Sequence, residues 1–122
     1  MPQTPTAASN LIGFATGAAT STAATINGIT GQTIWLAGYS ITGTGATAAG
    51  AVTATLQGIV GGTINIMVAV PVIASGADVV QNAVFIPPLQ GIAGTAVILT
   101  VPSLGAGSLG QGVMIWGFAS QS

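Results

Sequence analysis

The chain has 122 residues, a formal net charge of −1 and no Lys, Arg, His or Cys, and half of its residues are hydrophobic. This length corresponds to one small domain. Asp78 is the only acidic residue, so the chain lacks the groups that acid–base catalysis, carboxylate pairs, metal clusters and nucleic-acid phosphates require. We therefore expect no enzyme activity, no cofactor, no metal site and no nucleic-acid partner.

The N-terminal residues differ in composition from the rest of the chain. After Met1, the residues up to Ser9 are Pro, Gln, Thr, Ala and Ser, which is typical of an extended terminal arm. We predict an N-terminal arm over residues 1–16 and a β-sandwich domain over residues 17–122. A strand near Leu11–Thr16 is an alternative for the end of the arm.

Short β-branched segments separated by Gly- and Pro-rich turns follow the arm. We predict strands near Thr20–Ile26, Thr33–Thr42, Gly50–Gln57, Thr63–Val70, Val79–Ile86, Thr95–Val101 and Gly112–Phe118. Seven or eight short strands of this kind favour an all-β, antiparallel β-sandwich, most simply a jelly-roll-like one. Pro87 and Pro88 are expected to end a strand and to stiffen the connection after it.

Alternation of side chains predicts which strand faces are buried. In residues 51–57 and 63–70 one face is apolar and the other is mostly polar or small, so the core face is clear. Residues 33–41 and 113–118 instead have bulky apolar side chains on both faces, with Trp35, Tyr39 and Ile41 assigned to one face of the first segment. Two-sided hydrophobicity indicates burial on both sides, although a two-layer sandwich covers only one.

Two explanations for the second apolar side remain open. Either a neighbouring subunit covers it, or residues of the arm fold over it. The residues that we expect at such an interface are Leu11, Ile12, Phe14, Trp35, Tyr39, Pro87, Pro88, Trp116 and Phe118.

The expected surface is almost free of charge. A soluble monomer normally has about 25–35% charged surface residues, whereas 1% of this chain is charged. Such a surface lacks electrostatic repulsion, and its sheet edges lack the Lys residues that discourage edge pairing. The composition therefore favours a chain that is packed into an assembly. The longest apolar tract, Ile59–Ala74, is interrupted by Gly, Asn and Pro and is shorter than the roughly 20 residues of a spanning helix, so we expect no membrane partner.

Three tracts carry a resemblance to a known group of proteins. They are TIWLAGYSITGTG (Thr33–Gly45), AVTATLQG (Ala51–Gly58) and TAVILTVPSLGAGSLGQGVMIWGF (Thr95–Phe118). With them, the chain from about Ala15 to Phe118 resembles small tailed-phage virion proteins that have a jelly-roll or related β-sandwich. The resemblance implies a structural virion role and, for decoration (cement) proteins of this type, a homotrimer on the outer surface of the capsid. The first long strand has no basic residue, unlike that of many relatives.

Two functions from different classes follow. The first is a capsid decoration or cement protein that stabilises the phage head by non-covalent packing on the major capsid protein and on symmetry mates. The alternative is a head-fibre or tail-appendage module that binds a host-surface glycan, with Trp35, Tyr39 and Trp116 as the residues able to stack on sugars. A third, weaker option is a cellular extracellular or filament subunit.

Two local features have simple interpretations. Asp78 follows Ser75 and Gly76 in a turn-rich segment, which favours a turn residue bonded to backbone over a cation ligand shared between symmetry mates. The Gly-rich segment 105–112 lacks the Lys and the following helix of a phosphate-binding loop, so we expect no nucleotide binding.

Overall fold

The structure is a computed structural model that describes residues 11–17, 20–45, 50–72, 77–104 and 110–121. The described residues form eight strands. These are β1 (Leu11–Gly17), β2 (Thr22–Ile26), β3 (Gln32–Thr44), β4 (Gly50–Gln57), β5 (Ile64–Val70), β6 (Ala77–Gln90), β7 (Val97–Val101) and β8 (Gly110–Gln121). Within these ranges there is no helix of the length and apolar character needed to cross a membrane.

The eight strands form two four-stranded antiparallel sheets. Sheet A has the order β1-β8-β3-β6, and sheet B has the order β2-β7-β4-β5. The chain passes back and forth between the sheets, so that most neighbours within a sheet are distant in sequence. This interleaved order of eight strands is that of a jelly roll. The predicted all-β antiparallel sandwich is confirmed.

The N-terminal edge of sheet A includes part of the predicted arm. β1 pairs with β8 in a regular register from Leu11 opposite Gly117 to Gly17 opposite Gln111. Backbone pairing and the half-buried Leu11 side chain place residues 11–16 in sheet A, which confirms the alternative strand predicted near Leu11–Thr16. The arm residues 1–10 lie outside the described residues.

Pro87 and Pro88 lie within a strand instead of ending one. β6 continues to Gln90, and the Ile86–Pro87 peptide bond is cis. β6 is an edge strand of sheet A, where a residue without an N–H group is tolerated because one side of the strand has no ladder partner. The prediction that this pair terminates the strand is therefore wrong.

The core lies between the two sheets and is entirely apolar at its centre. On sheet A its largest fully buried side chains include Ile34, Leu36, Ile41 and Ile115. Sheet B contributes Leu56, Val68, Val97, Leu99 and Val101. The predicted buried faces of residues 51–57 and 63–70 are confirmed, because their apolar positions are buried or half-buried and most of the intervening ones are exposed.

A β-bulge changes the face assignment in β3. The register against β8 shifts between Leu36 and Gly38, so that Ala37 is an extra residue of β3 relative to β8. One extra residue reverses the facing of every later side chain. Tyr39 and Ile41 therefore point into the core with Leu36, and the prediction that they share a face with Trp35 is wrong.

Candidate interaction surface

The outer face of sheet A is unusually rich in large apolar side chains. Ile12 and Phe14 of β1 lie opposite Trp116 and Met114 of β8, and Trp35 of β3 lies opposite Phe118. We call this set the aromatic face. Its members are Ile12, Phe14, Trp35, Met114, Trp116 and Phe118. Ile12 and Phe14 are 63% and 64% exposed, and the other four are half-buried.

One row of residues crosses all four strands of sheet A. Ile12 lies opposite Trp116, Trp116 opposite Gly38, and Gly38 opposite Val84. A Cβ atom on Gly38 would lie 2.6 Å from Cζ2 of Trp116 and 2.5 Å from the carbonyl oxygen of Ala83. The indole therefore lies directly against the backbone of β3, in the space that the glycine leaves. The aromatic face thus extends across the central strands of the sheet.

Trp35 is held in place by two contacts. Its ring stacks on Phe118 with centroids 6.5 Å apart and planes 10° from parallel. Its indole Nε1 donates a hydrogen bond of 2.8 Å to Oγ of Ser120. Offset-stacked pairs of this kind add about 0.5–1.5 kcal/mol beyond their area burial, so these rings form a fixed surface.

A shallow groove lies at one end of the aromatic face. Its volume is about 280 Å³, and its floor includes Gly112 of the central strand β8. A Cβ atom on Gly112 would lie 2.8 Å from Oγ1 of Thr42 and 3.9 Å from Cε1 of Phe14, which places Thr42 and Phe14 on its two sides. Thr16 and Thr44 also line the groove. Its lining is uncharged.

A ridge lies at the opposite edge of the same sheet. Between the pairs Gly38–Val84 and Leu36–Leu89, four residues of β6 lie opposite the single residue Ala37, so the edge strand bulges there. Val84 is 66% exposed and Ile86 is 89% exposed, and Pro87 is exposed as well. We call Val84, Ile86 and Pro87 the ridge.

The structure brings five of the nine predicted interface residues together. Ile12, Phe14, Trp35, Trp116 and Phe118 share the aromatic face. The other four lie elsewhere.

Tyr39 is among those four, and it is only 4% exposed. It accepts a hydrogen bond of 2.8 Å from Nε2 of Gln81, and its ring contacts Phe85 with centroids 5.9 Å apart. Leu11 packs against the core, and Pro87 and Pro88 lie on the edge strand β6. Tyr39 is therefore a core residue of this chain.

Sequence reasoning missed three exposed or half-exposed apolar residues of sheet A. The period of two places Met114 on the same face of β8 as Trp116 and Phe118, but Met114 is not among the predicted interface residues. Val84 and Ile86 were assigned to a strand without an outward role. Their exposure depends on β6 being an edge strand with a bulge, for which the local sequence carries no signal.

The two local features of the sequence have different outcomes. Asp78 lies in strand β6 opposite Gly43, so its assignment to a turn is wrong. The described residues contain no group of three or more His, Cys, Asp or Glu able to hold a metal ion. Of the Gly-rich segment 105–112, residues 105–109 lie outside the described part of the chain, and the remainder begins β8.

Replacing Gly38 by Ala is expected to lower the free energy of unfolding by about 1–3 kcal/mol, because the added methyl overlaps Trp116 and the Ala83 carbonyl. The tryptophan emission spectrum should shift as the indole moves. Denaturant titration and fluorescence measure both effects. Gly50→Ala is the matched control, since a Cβ there meets nothing within 4 Å; equal losses in the two variants would contradict the packing of Trp116 on Gly38.

Comparison with known proteins gives similarity in fold. No protein-family model matches the chain, and no curated protein matches its sequence. The chain is similar to a chain of the virus-like particle of the giant freshwater prawn Macrobrachium rosenbergii extra small virus, with 10% identity and a TM-score of 0.39 over 100% of this chain and 85% of that chain.

Two further solved structures are similar at lower scores. One is the family 11 carbohydrate-binding module from Clostridium thermocellum in complex with a β-1,3-1,4-mixed-linked tetrasaccharide, with 11% identity and a TM-score of 0.29 over 96% of this chain and 91% of that one. The other is infectious bursal disease virus, with 12% identity and a TM-score of 0.25 over 99% of this chain and 44% of that one. None of the three is from a tailed phage, so the resemblance to tailed-phage virion proteins stays a prediction.

Proposed function

We propose that this chain is a viral structural protein located on the outer surface of a capsid. There it acts as a decoration (cement) protein of a phage head and packs without covalent bonds on major capsid subunits. The observation that carries this proposal is the aromatic face on a chain with almost no charge. The resemblance of residues 33–58 and 95–118 to tailed-phage virion proteins supports the phage setting.

The aromatic face supports a packing role for a physical reason. Contiguous exposed apolar surface on a folded domain marks a surface that meets a partner, and aromatic residues are enriched where such contacts are strongest. With one acidic and no basic side chain, the chain offers almost no charge pairing. Burial of apolar area, worth about 25 cal/mol per Å², is then the main source of binding free energy. A capsid lattice repeats the same contact at every equivalent position.

A second candidate function is recognition of a neutral host-surface glycan by a head-fibre or tail-appendage module. The groove favours it, because the exposed Phe14 ring lies next to the hydroxyl-bearing side chains of Thr16 and Thr42. An aromatic ring beside uncharged hydrogen-bonding groups suits a sugar. Tyr39, predicted to stack on sugars, is buried, which leaves this candidate with Phe14, Trp35 and Trp116.

The number of copies per particle distinguishes the two functions. We expect purified particles of the virus that encodes this chain to contain it in near-stoichiometric ratio to the major shell protein, measured by quantitative mass spectrometry. Digestion must use chymotrypsin, because the chain has no Lys or Arg for trypsin. About a dozen copies per particle would favour the appendage role. A glycan-array signal that is lost in a folded Trp116→Ala variant would support the same role. Absence from the particle would overturn both.

A further inference from the structure

We propose that copies of this chain associate through the outer face of sheet A, with the ridge of one copy seated in the groove of another. The proposal deepens the proposed function and rests on it, since it names the contact that joins neighbouring copies on a capsid. The occupant of the groove is a second copy of this chain.

The positions of the ridge and the groove require two copies. The groove lies between β1, β8 and β3, and the ridge belongs to β6 at the other edge of the sheet. Strands are about 4.8 Å apart, so the ridge lies more than 10 Å from the groove of its own chain. The ridge and the groove are also displaced along the strands, because Val84 lies opposite Gly38 whereas Gly112 lies opposite Thr42. A two-fold axis in the plane of the face, perpendicular to the line from ridge to groove, brings each ridge opposite the other copy's groove, and the two sheets then cross. A two-fold dimer contains two ridge–groove contacts, whereas a head-to-tail ring of copies contains one such contact between each pair of neighbours.

The shapes and the polarity of the two surfaces match. Ile86 is a branched apolar side chain that is 89% exposed, and the groove is a recess of about 280 Å³ because Gly112 has no side chain to fill it. Val84 lies in the same row as Gly38 and Trp116. The ridge of one copy is therefore continuous with the aromatic face, and a partner seated in the groove also covers Trp116.

The absence of charge favours a second copy over a charged partner. A partner with Lys or Glu at the contact would lose hydration of those groups without an opposite charge to compensate it. This chain has no Lys, Arg, His or Glu, so a second copy brings no such cost to the ridge, to the groove or to the aromatic face. The proposal depends on this match in polarity, since both surfaces are apolar and uncharged.

The size of the face limits the strength of the contact. The four strands of sheet A have 7, 12, 13 and 14 residues. At about 3.3 Å per residue and 4.8 Å between strands, the outer face of sheet A covers roughly 700 Å². Two copies whose sheets cross share only part of that face, so the contact is smaller than a standard interface of about 800 Å² per partner and is of the weak, concentration-dependent class.

A charge-exchange experiment tests the contact directly. Ile86→Lys places a cation on the ridge, and Thr16→Glu places an anion at the exposed wall of the groove. We expect each variant alone to weaken self-association at least tenfold, because an unpaired charge is buried at the contact. An equimolar mixture of the two should associate again, since the Lys of one copy then lies beside the Glu of the other. Sedimentation equilibrium over a concentration series measures all three.

The control is Met67→Lys. Met67 is 74% exposed on the outer face of sheet B, and its substitution should leave association unchanged. Circular dichroism confirms that each variant is folded; Ile86 and Thr16 are exposed, so their substitutions do not alter the core. Three results would each overturn the proposal. The first is a parent chain that stays monomeric at every concentration up to about millimolar. The second is equal weakening of self-association by Met67→Lys, and the third is a mixture of the two charged variants that stays dissociated. None of these results depends on a capsid, so the particle count tests the proposed function separately.

Discussion

Replacing Leu36 by Ala is expected to lower the free energy of unfolding by about 2–5 kcal/mol. Leu36 is fully buried and lies on β3, between Gly117 of β8 and Leu89 of β6. Removing its branched end leaves a cavity between the two sheets that the central strands cannot close. A domain of this size has about 5–15 kcal/mol of stability, so this one change removes a large part of it. Urea unfolding followed by tryptophan fluorescence gives the value.

The matched control for Leu36 is Met67→Ala. It removes a side chain of similar size from the exposed face of β5, where the loss should stay within about 0.5 kcal/mol. A Leu36→Ala loss as small as that of the control would mean that Leu36 does not lie at the centre of the core.

Replacing Gln111 by Leu is expected to cost about 2–4 kcal/mol of stability. Gln111 is 4% exposed, and its amide joins β8 to the segment that follows β7. Oε1 accepts from the backbone N–H of Leu104 at 3.1 Å, and Nε2 donates to the carbonyls of Val101 at 3.3 Å and Pro102 at 3.1 Å. Leucine fills similar space but leaves these backbone groups without partners in a buried site. Thermal and denaturant unfolding measure the loss.

The comparison for Gln111 is Gln57→Leu, which makes the same chemical change at an exposed position of β4. It should change stability by less than about 0.5 kcal/mol. If both substitutions had the same small effect, the three hydrogen bonds of Gln111 would not contribute to holding residues 101–104.

One strand connects the core to the candidate interface. In β3, Ile34 and Leu36 point into the sandwich while Trp35 between them points outward. The outward ring is fixed by its stacking on Phe118 and by Ser120. The core thus positions the aromatic face, and loss of Leu36 should weaken assembly as well as folding.

Much of the fold could be predicted from the sequence. Gly50–Gln57 was located to the residue, because strict alternation between Val52, Ala54, Leu56 and their small or polar neighbours leaves one consistent face. The alternative strand at the end of the arm is β1. Its detection was harder, because Gly13 and Ala15 supply little side chain on the inward face.

The candidate site could be predicted only in part. Trp35, Trp116 and Phe118 were recognised as outward because their strands have apolar residues on both faces. Tyr39 was misplaced, because the bulge at Ala37 reverses the alternation. The bulge depends on the backbone of two neighbouring strands and on the close approach of Gly38 to Ala83 and Trp116, and none of these is local in sequence.

Composition and period-two patterning by themselves determined that this chain is an all-β sandwich, almost uncharged, with apolar side chains on two faces of its long strands. These properties depend on each residue's own chemistry and on neighbours two positions away. The tertiary structure alone decided the interleaved strand order, the inward turn of Tyr39, the protruding edge at Ile86 and the groove over Gly112. Each of these depends on pairing between strands far apart in the chain, such as β1 with β8, and such pairings are selected by how the two sheets pack as a whole.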